Sequence, residues 1–82
     1  MIRVEQIRAA RVLLDISQTR LAELADVGVA TVKRIEAARG EITGTANTLW
    51  KIQSALEEAG VSFVDADDDA GPGVRLKLRP KD

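Results

Sequence analysis

Apolar residues in the first 60 positions recur at intervals of three and four, which predicts a set of amphipathic helices. The pattern places four helices at residues 4–14, 18–25, 29–38 and 46–59. Their apolar faces are expected to form one core, composed of Ile7, Ala10, Leu14, Leu21, Ala22, Leu24, Ala25, Val32, Ile35, Leu49, Ile52 and Leu56.

The residues at the predicted helix ends agree with these limits. Ser17 and Thr45 are suited to cap the second and fourth helices, because a hydroxyl accepts a hydrogen bond from a free first-turn amide. Gly28 can occupy the same position before the third helix. Gly60 is suited to end the fourth helix, with Val61 packing back on the helix it follows.

Beyond residue 60 the apolar period changes from helical to alternating, which predicts two short strands. The strands are expected at residues 61–64 and 74–78, separated by the loop "DADDDAGPG", with Val74, Leu76 and Leu78 on one side of the second strand. The predicted fold is therefore mainly α, with four helices and a short C-terminal β-hairpin or strand pair. Residues 1–60 would form the helical domain, and residues 61–82 a β segment with a possible role in dimerisation.

The composition removes several function classes. The 82 residues include no cysteine and no histidine, which excludes disulfides, thiolate metal sites and the commonest general base. The serines therefore have no histidine partner, and "GPG" is a turn and not a phosphate-binding loop. We expect no enzyme activity, no catalytic residue and no cofactor.

The net charge of −1 is unevenly distributed along the chain. Residues 1–56 carry a net charge of +2, residues 57–69 carry −6 and residues 70–82 carry +3. The alternating Asp65, Asp67 and Asp69 invite comparison with a calcium-binding EF-hand loop. However, Ala70 stands where that loop needs glycine and Leu76 where it needs glutamate, so we expect no metal site.

The segment "SQTRLAELADVGVATVKRIE", residues 17–36, joins two short predicted helices by a tight turn. This arrangement is typical of a helix-turn-helix. The small Ala22 suits the close crossing of the two helices. Asp26 stands at the turn position that often holds glycine, and aspartate tolerates the left-handed backbone conformation better than most residues.

The longer stretch "IRAARVLLDISQTRLAELADVGVATVKRIEA" resembles the XRE group of the lambda-repressor-like helix-turn-helix transcriptional regulators. The later "ALEEAGVSFVDADDDAGPGVRLK" is similar to the tail of a compact bacterial subgroup of those regulators. The resemblance covers nearly the whole chain, and it implies a four-helix DNA-binding domain.

The resemblance also implies roles for individual residues. The family pattern places Gln18 on the DNA backbone or a base edge. It turns Gly28, Val29, Ala30, Lys33 and Arg34 outward on the third helix, with Val29, Ala30 and Arg34 facing base edges. Arg34 would form two hydrogen bonds with a guanine edge, and Lys33 would contact phosphate. The alternative for Lys33 and Arg34 is a pair of solvated charges on a surface helix.

Three further residues follow the third helix at positions where the family makes phosphate contacts: Arg39, Thr43 and Thr45. Thr45 is equally explained as a helix cap. In the family, an arginine of the first helix and a glutamate late in the third form a partly buried bridge, and Arg11 and Glu36 match these positions. Trp50 lies one position off the apolar stripe, so it could anchor an interface or pack on the C-terminal strands.

The expected function is sequence-specific binding of double-stranded DNA by a transcriptional regulator, most simply a cytoplasmic repressor. The family usually acts as a homodimer on a palindromic operator. One alternative is an antitoxin that represses its own operon, with the C-terminal β segment as the toxin-binding surface. Another is a protein-interaction adaptor that has lost DNA binding. No apolar run is long enough to span a membrane, so no membrane partner is expected.

Overall fold

The computed structural model describes residues 2–39 and 44–78 of the chain. Within these residues the fold is mainly helical, with a two-stranded antiparallel sheet at the C-terminal end, as the sequence predicts. The elements are α1 (Val4–Leu13), α2 (Gln18–Ala25), α3 (Val29–Ala37), α4 (Ala46–Ala59), β1 (Val61–Val64) and β2 (Gly73–Leu76).

A single apolar core joins the four helices and the first strand. The largest fully buried side chains are Val4, Ile7, Leu21, Val32, Ile35, Ile52, Leu56 and Val61. The expectation that Leu24 is buried is wrong, because 41% of this residue is exposed. On the short helix α2 the buried stripe runs through Leu21, Ala22 and Ala25, and Leu24 lies to one side of it.

Caps and turns fix the helix limits much as predicted. The Ser17 hydroxyl accepts a hydrogen bond from the Arg20 amide at 3.0 Å, and the Thr45 hydroxyl accepts one from the Thr48 amide at 3.1 Å. Asp26 adopts the left-handed conformation with φ 56°, and Gly60 ends α4 with φ 126°.

The hairpin begins and ends earlier in its second strand than predicted. β1 pairs with β2 in the register Val61↔Leu76 to Val64↔Gly73, so Gly73 joins the strand and pairing stops at Leu76. The short β1 sets this limit, because it offers four residues for pairing. Leu76 and Leu78 were expected to share the apolar side with Val74, yet they are 55% and 97% exposed.

The first residues of the chain carry buried groups that the sequence pattern did not identify. Ile2 and Gln6 are buried together with Val4. The Gln6 amide nitrogen donates to the carbonyl of Gly73 at 2.9 Å, and its oxygen accepts from the Arg3 amide at 2.7 Å. Gln6 therefore caps α1 and attaches it to the hairpin.

Candidate nucleic-acid interface

Helices α2 and α3 meet at a tight turn whose geometry depends on Asp26. Its left-handed backbone reverses the chain, and the following Val27 amide donates to the Ala22 carbonyl at 3.0 Å. Ala22 is 4% exposed, and Leu21 and Ile35 are fully buried. The two helices are thus held together by apolar packing, and the first turn of α3 lies at the surface.

The outward face of α3 consists of four exposed residues at helical spacing. These are Ala30, Lys33, Arg34 and Ala37. The side chains at both ends of this face are small, and the two between them are cationic. A large molecule could therefore approach the helix closely. Val29, which was predicted to face outward, is half-buried and packs against the core, so only part of it is available. Ala37 belongs to the same face although the sequence interpretation did not include it.

Gly28 precedes α3 and is exposed. Its φ of −71° is open to any residue, and a Cβ added there would meet the Thr31 hydroxyl only at 3.9 Å. Neither conformation nor internal space requires glycine at this position. The absence of a side chain does leave the first amides of α3 open to an approaching molecule.

Gly28→Ser provides a test of whether that open backbone is used. Serine can cap α3, so the free energy of unfolding should change by no more than a few tenths of a kcal/mol. If DNA approaches the amides of α3, the added side chain should nevertheless weaken operator binding. Thermal unfolding and a DNA titration of the same sample measure both effects. Unchanged DNA affinity would contradict a close approach at this end of α3.

Arg11, Gln18 and Glu36 form a network behind the α3 surface. Glu36 is 4% exposed, and its carboxylate accepts from the Arg11 guanidinium through Nε at 2.9 Å and Nη2 at 3.0 Å. Arg11 also donates from Nη1 to the carbonyl of Ile16 at 3.1 Å. The network therefore ties α1 to α3 and to the segment that precedes α2.

Gln18 completes the network from the first residue of α2. Its amide nitrogen donates to Glu36 Oε1 at 3.3 Å. A carboxylate can only accept, so the nitrogen of the Gln18 amide must point inward, and one of its two N–H groups remains for another acceptor. The contact fixes the N-terminus of α2 relative to α3, a link between side chains that sequence spacing did not predict.

The remaining predicted DNA contacts differ in how they are placed. Arg39 is exposed just after α3, and Thr45 is exposed at the start of α4 with its hydroxyl engaged as the helix cap. The cap explains Thr45 without DNA, although a hydroxyl can form further hydrogen bonds. Thr43 lies outside the described residues.

One aspartate stabilises the conformation of the loop between the strands, residues 65–72. Asp67 Oδ1 accepts from the amides of Asp69 and Ala70, both at 2.8 Å. These backbone hydrogen bonds lower the pKa of Asp67 below its usual value. Within the part of the chain that the structure describes, no group of three or more acidic side chains is placed to hold a metal ion.

We expect this acidic loop, residues 65–72, to show no specific calcium affinity. Four carboxylates close in sequence attract cations weakly, but Asp67 is already occupied by backbone amides. Isothermal titration with calcium should show no binding in the micromolar range. Micromolar affinity that disappears in Asp65→Asn, which leaves the Asp67 turn intact, would contradict this expectation.

The fold and the α2–turn–α3 unit define a DNA-binding regulator of the helix-turn-helix class. A helix-turn-helix family model matches residues 7–61, about two thirds of the chain. The chain belongs to the lambda-repressor/XRE-like helix-turn-helix family, whose members are DNA-binding regulators and generally not enzymes. A search of curated proteins found no significant match. None of the helices in residues 2–39 and 44–78 is long and apolar enough to cross a membrane.

Proposed function

We propose that this protein is a sequence-specific transcriptional regulator that inserts α3 into the major groove of double-stranded operator DNA. The observation that carries the proposal is the exposed face of α3, where Lys33 and Arg34 lie between Ala30 and Ala37. The major groove admits an α-helix, and the short alanines let the helix backbone approach the base edges.

Arg34 is the residue proposed to read sequence. A guanidinium has donors in a fixed fork that matches the two acceptors on the major-groove edge of guanine. Ala30 offers a methyl group, which suits contact with a thymine methyl. Lys33 carries a single point charge and is proposed to contact phosphate.

Gln18 is proposed to hold the DNA backbone from the N-terminus of α2. One N–H of its amide is committed to Glu36, and the second can donate to a phosphate oxygen. The free backbone amides and dipole of the helix N-terminus would add to this contact. Arg39, Thr43 and Thr45 are proposed as further phosphate contacts.

The assembly proposed to act on DNA is a homodimer on a palindromic operator in the cytoplasm. One recognition helix buries little surface and reads few base pairs, so two are needed for a specific site. Repression follows most simply, because a dimer seated on an operator excludes polymerase without further contacts.

Binding to the DNA upstream of its own gene tests the proposed function. Fluorescence anisotropy with this DNA and with a scrambled duplex should give affinities that differ by about 10³-fold or more. Equal and strongly salt-dependent binding to both would indicate non-specific attraction alone. No binding to either duplex, or to any sequence selected from a random pool, would favour the adaptor function.

A further inference from the structure

A groove lined by apolar and charged side chains lies beside the hairpin, and none of the described residues proposed to contact DNA lines it. The groove has a volume of about 630 Å³, and its apolar lining includes Leu13 at the end of α1, Ala59 at the end of α4, Leu76 at the end of β2 and Leu78 beyond it. Leu13, Leu76 and Leu78 are 43%, 55% and 97% exposed. Apolar side chains grouped in this way mark a surface for another protein more often than a solvated one.

A second groove of about 510 Å³ lies between α1 and the start of β2, lined by Ala9, Gly73 and Val74. In the described residues β2 pairs with β1 alone. The other edge of β2 is therefore not paired with a strand within the described residues.

The alternation of hydrogen bonds along the hairpin shows which backbone groups lie on the outer edge of β2. The Lys77 amide donates to the Gly60 carbonyl at 2.8 Å, so this pair faces inward. Antiparallel pairs alternate between inward and outward hydrogen bonding, so the amides and carbonyls of Val74 and Leu76 point away from β1. Within residues 2–39 and 44–78 these groups have no backbone partner, and such a row can pair with another strand.

We propose that the edge of β2 binds the same edge of a second copy of this chain, antiparallel about a two-fold axis near Arg75. The two hairpins would then form one four-stranded sheet. The inference deepens the proposed function, since it identifies the surface through which the DNA-binding dimer forms.

Opposite charges at the two ends of the paired strands favour a second copy in this orientation. The acidic loop carries a net charge of −4, and residues 73–77 carry +2. Within residues 2–39 and 44–78, no salt bridge engages the acidic loop. In the antiparallel arrangement, Lys77 of each copy would lie opposite Gly73 of the other, directly after the acidic loop ends. At the axis the two Arg75 side chains would lie opposite each other on the face away from the helices, and their repulsion opposes this attraction.

The face that each side chain occupies supports the same arrangement. Leu76 pairs with the buried Val61, and Val74 pairs with Phe63, so both lie on the face that meets the helices. A two-fold axis perpendicular to the sheet keeps these residues of both copies on that face. The exposed leucines would then extend the core across the axis. A two-stranded hairpin is marginal on its own, and four strands over helices are stable.

Two substitutions at position 76 test the proposal without removing buried structure. Leu76→Lys places two like charges on one face near the axis, which should raise the dimer dissociation constant at least about tenfold. Leu76→Pro removes an amide that points outward, so it blocks edge pairing and spares the bond to β1. Sedimentation equilibrium without DNA, across the micromolar range, measures both.

Trp50→Lys is the matched control on another exposed apolar residue. Trp50 is 66% exposed on α4 and is not part of either groove. This variant should dimerise like the unmodified protein, and circular dichroism should show that all three variants are folded.

Three results would overturn the proposal. The unmodified protein could sediment as a monomer at high micromolar concentration, both variants at position 76 could dimerise normally, or Trp50→Lys alone could give the monomer. The DNA-binding proposal fails separately, because it is measured by operator affinity. A dimer that does not bind DNA would contradict the proposed function but not the proposed interface. A monomer that binds an operator specifically would contradict the interface but not the function.

Discussion

Replacing Glu36 with alanine should destabilise the protein by roughly 3–5 kcal/mol, because it leaves the Arg11 guanidinium, on a side chain that is only 22% exposed, without its carboxylate partner. Glu36 also receives the Gln18 amide, so one substitution releases contacts from both α1 and α2. For a domain of this size each kcal/mol corresponds to roughly 4–8 °C, so the melting temperature should fall by about 12 °C or more.

Glu23→Ala is the matched control for this prediction. Glu23 pairs with Arg20 at 3.8 Å, but both side chains are more than half exposed. Removing a solvated pair of this kind should change the free energy of unfolding by less than about 0.5 kcal/mol. Thermal and urea unfolding of both variants measure the difference. A loss for Glu36→Ala no larger than that for Glu23→Ala would exclude a structural role for the network.

A double-mutant cycle measures the interaction between Arg11 and Glu36 separately from the effect of removing each side chain. Removing Arg11 and Glu36 together should cost less than the sum of the single changes, since neither charge is then left alone. Glu36→Gln should destabilise the protein less than Glu36→Ala, because the amide keeps the size of the side chain and part of its hydrogen bonding. Additive effects would mean that the observed contact contributes little to stability.

The predictable part of the fold was the part encoded by local spacing. Ile7, Leu21 and Ile52 follow the helical period and are fully buried. Ser17 and Thr45 act as caps because their hydroxyl groups satisfy amides only three residues away. The helix-turn-helix pattern predicted the turn at Asp26. A left-handed conformation was expected there because glycine often occupies this turn position and aspartate tolerates that conformation.

The errors arose where a residue's environment depends on distant elements. Leu24 has an apolar side chain beside the buried stripe of α2, and 41% of the residue is exposed. Gln6 is polar but buried, because its carbonyl partners belong to residues more than 55 positions away. The exposure of Leu76 depends on where the hairpin ends over α1 and α4, which the alternating pattern does not encode.

In the candidate site, too, local spacing predicted some features, and others depend on how distant elements pack. Ala30, Lys33 and Arg34 were expected on the outward side of α3, and they are exposed there. Val29 packs partly on the core, and Ala37 joins the outer face. The link from Gln18 to Glu36 depends on how α2 crosses α3, so it follows only from the three-dimensional arrangement. The roles of these residues on DNA stay predictions.

Arg34→Ala should reduce operator affinity by roughly 1–3 kcal/mol and relax base preference at one position in each half-site. The physical reason is the loss of a forked contact that only one base edge can satisfy. The neighbouring Lys33 is the control for charge alone. Lys33→Ala should weaken all sequences similarly and reduce the salt dependence by about one unit of slope per site.

Gln18→Ala should lower affinity without changing the salt slope, because the amide carries no charge. It also removes a hydrogen bond to Glu36, so its stability must be measured beside its affinity. Titrations should therefore be made well below the melting temperature of each variant. A changed salt slope for Gln18→Ala would indicate that the network, and not a phosphate contact, had been disturbed.

The most direct measurement for the whole account is the affinity of the unmodified protein and of Arg34→Ala for an operator and its single-base variants. The account predicts that the unmodified protein discriminates at one guanine in each half-site and that Arg34→Ala binds all variants at that position about equally. If Arg34→Ala weakens every variant by the same factor and keeps the preference, Arg34 holds phosphate and α3 does not read sequence through it.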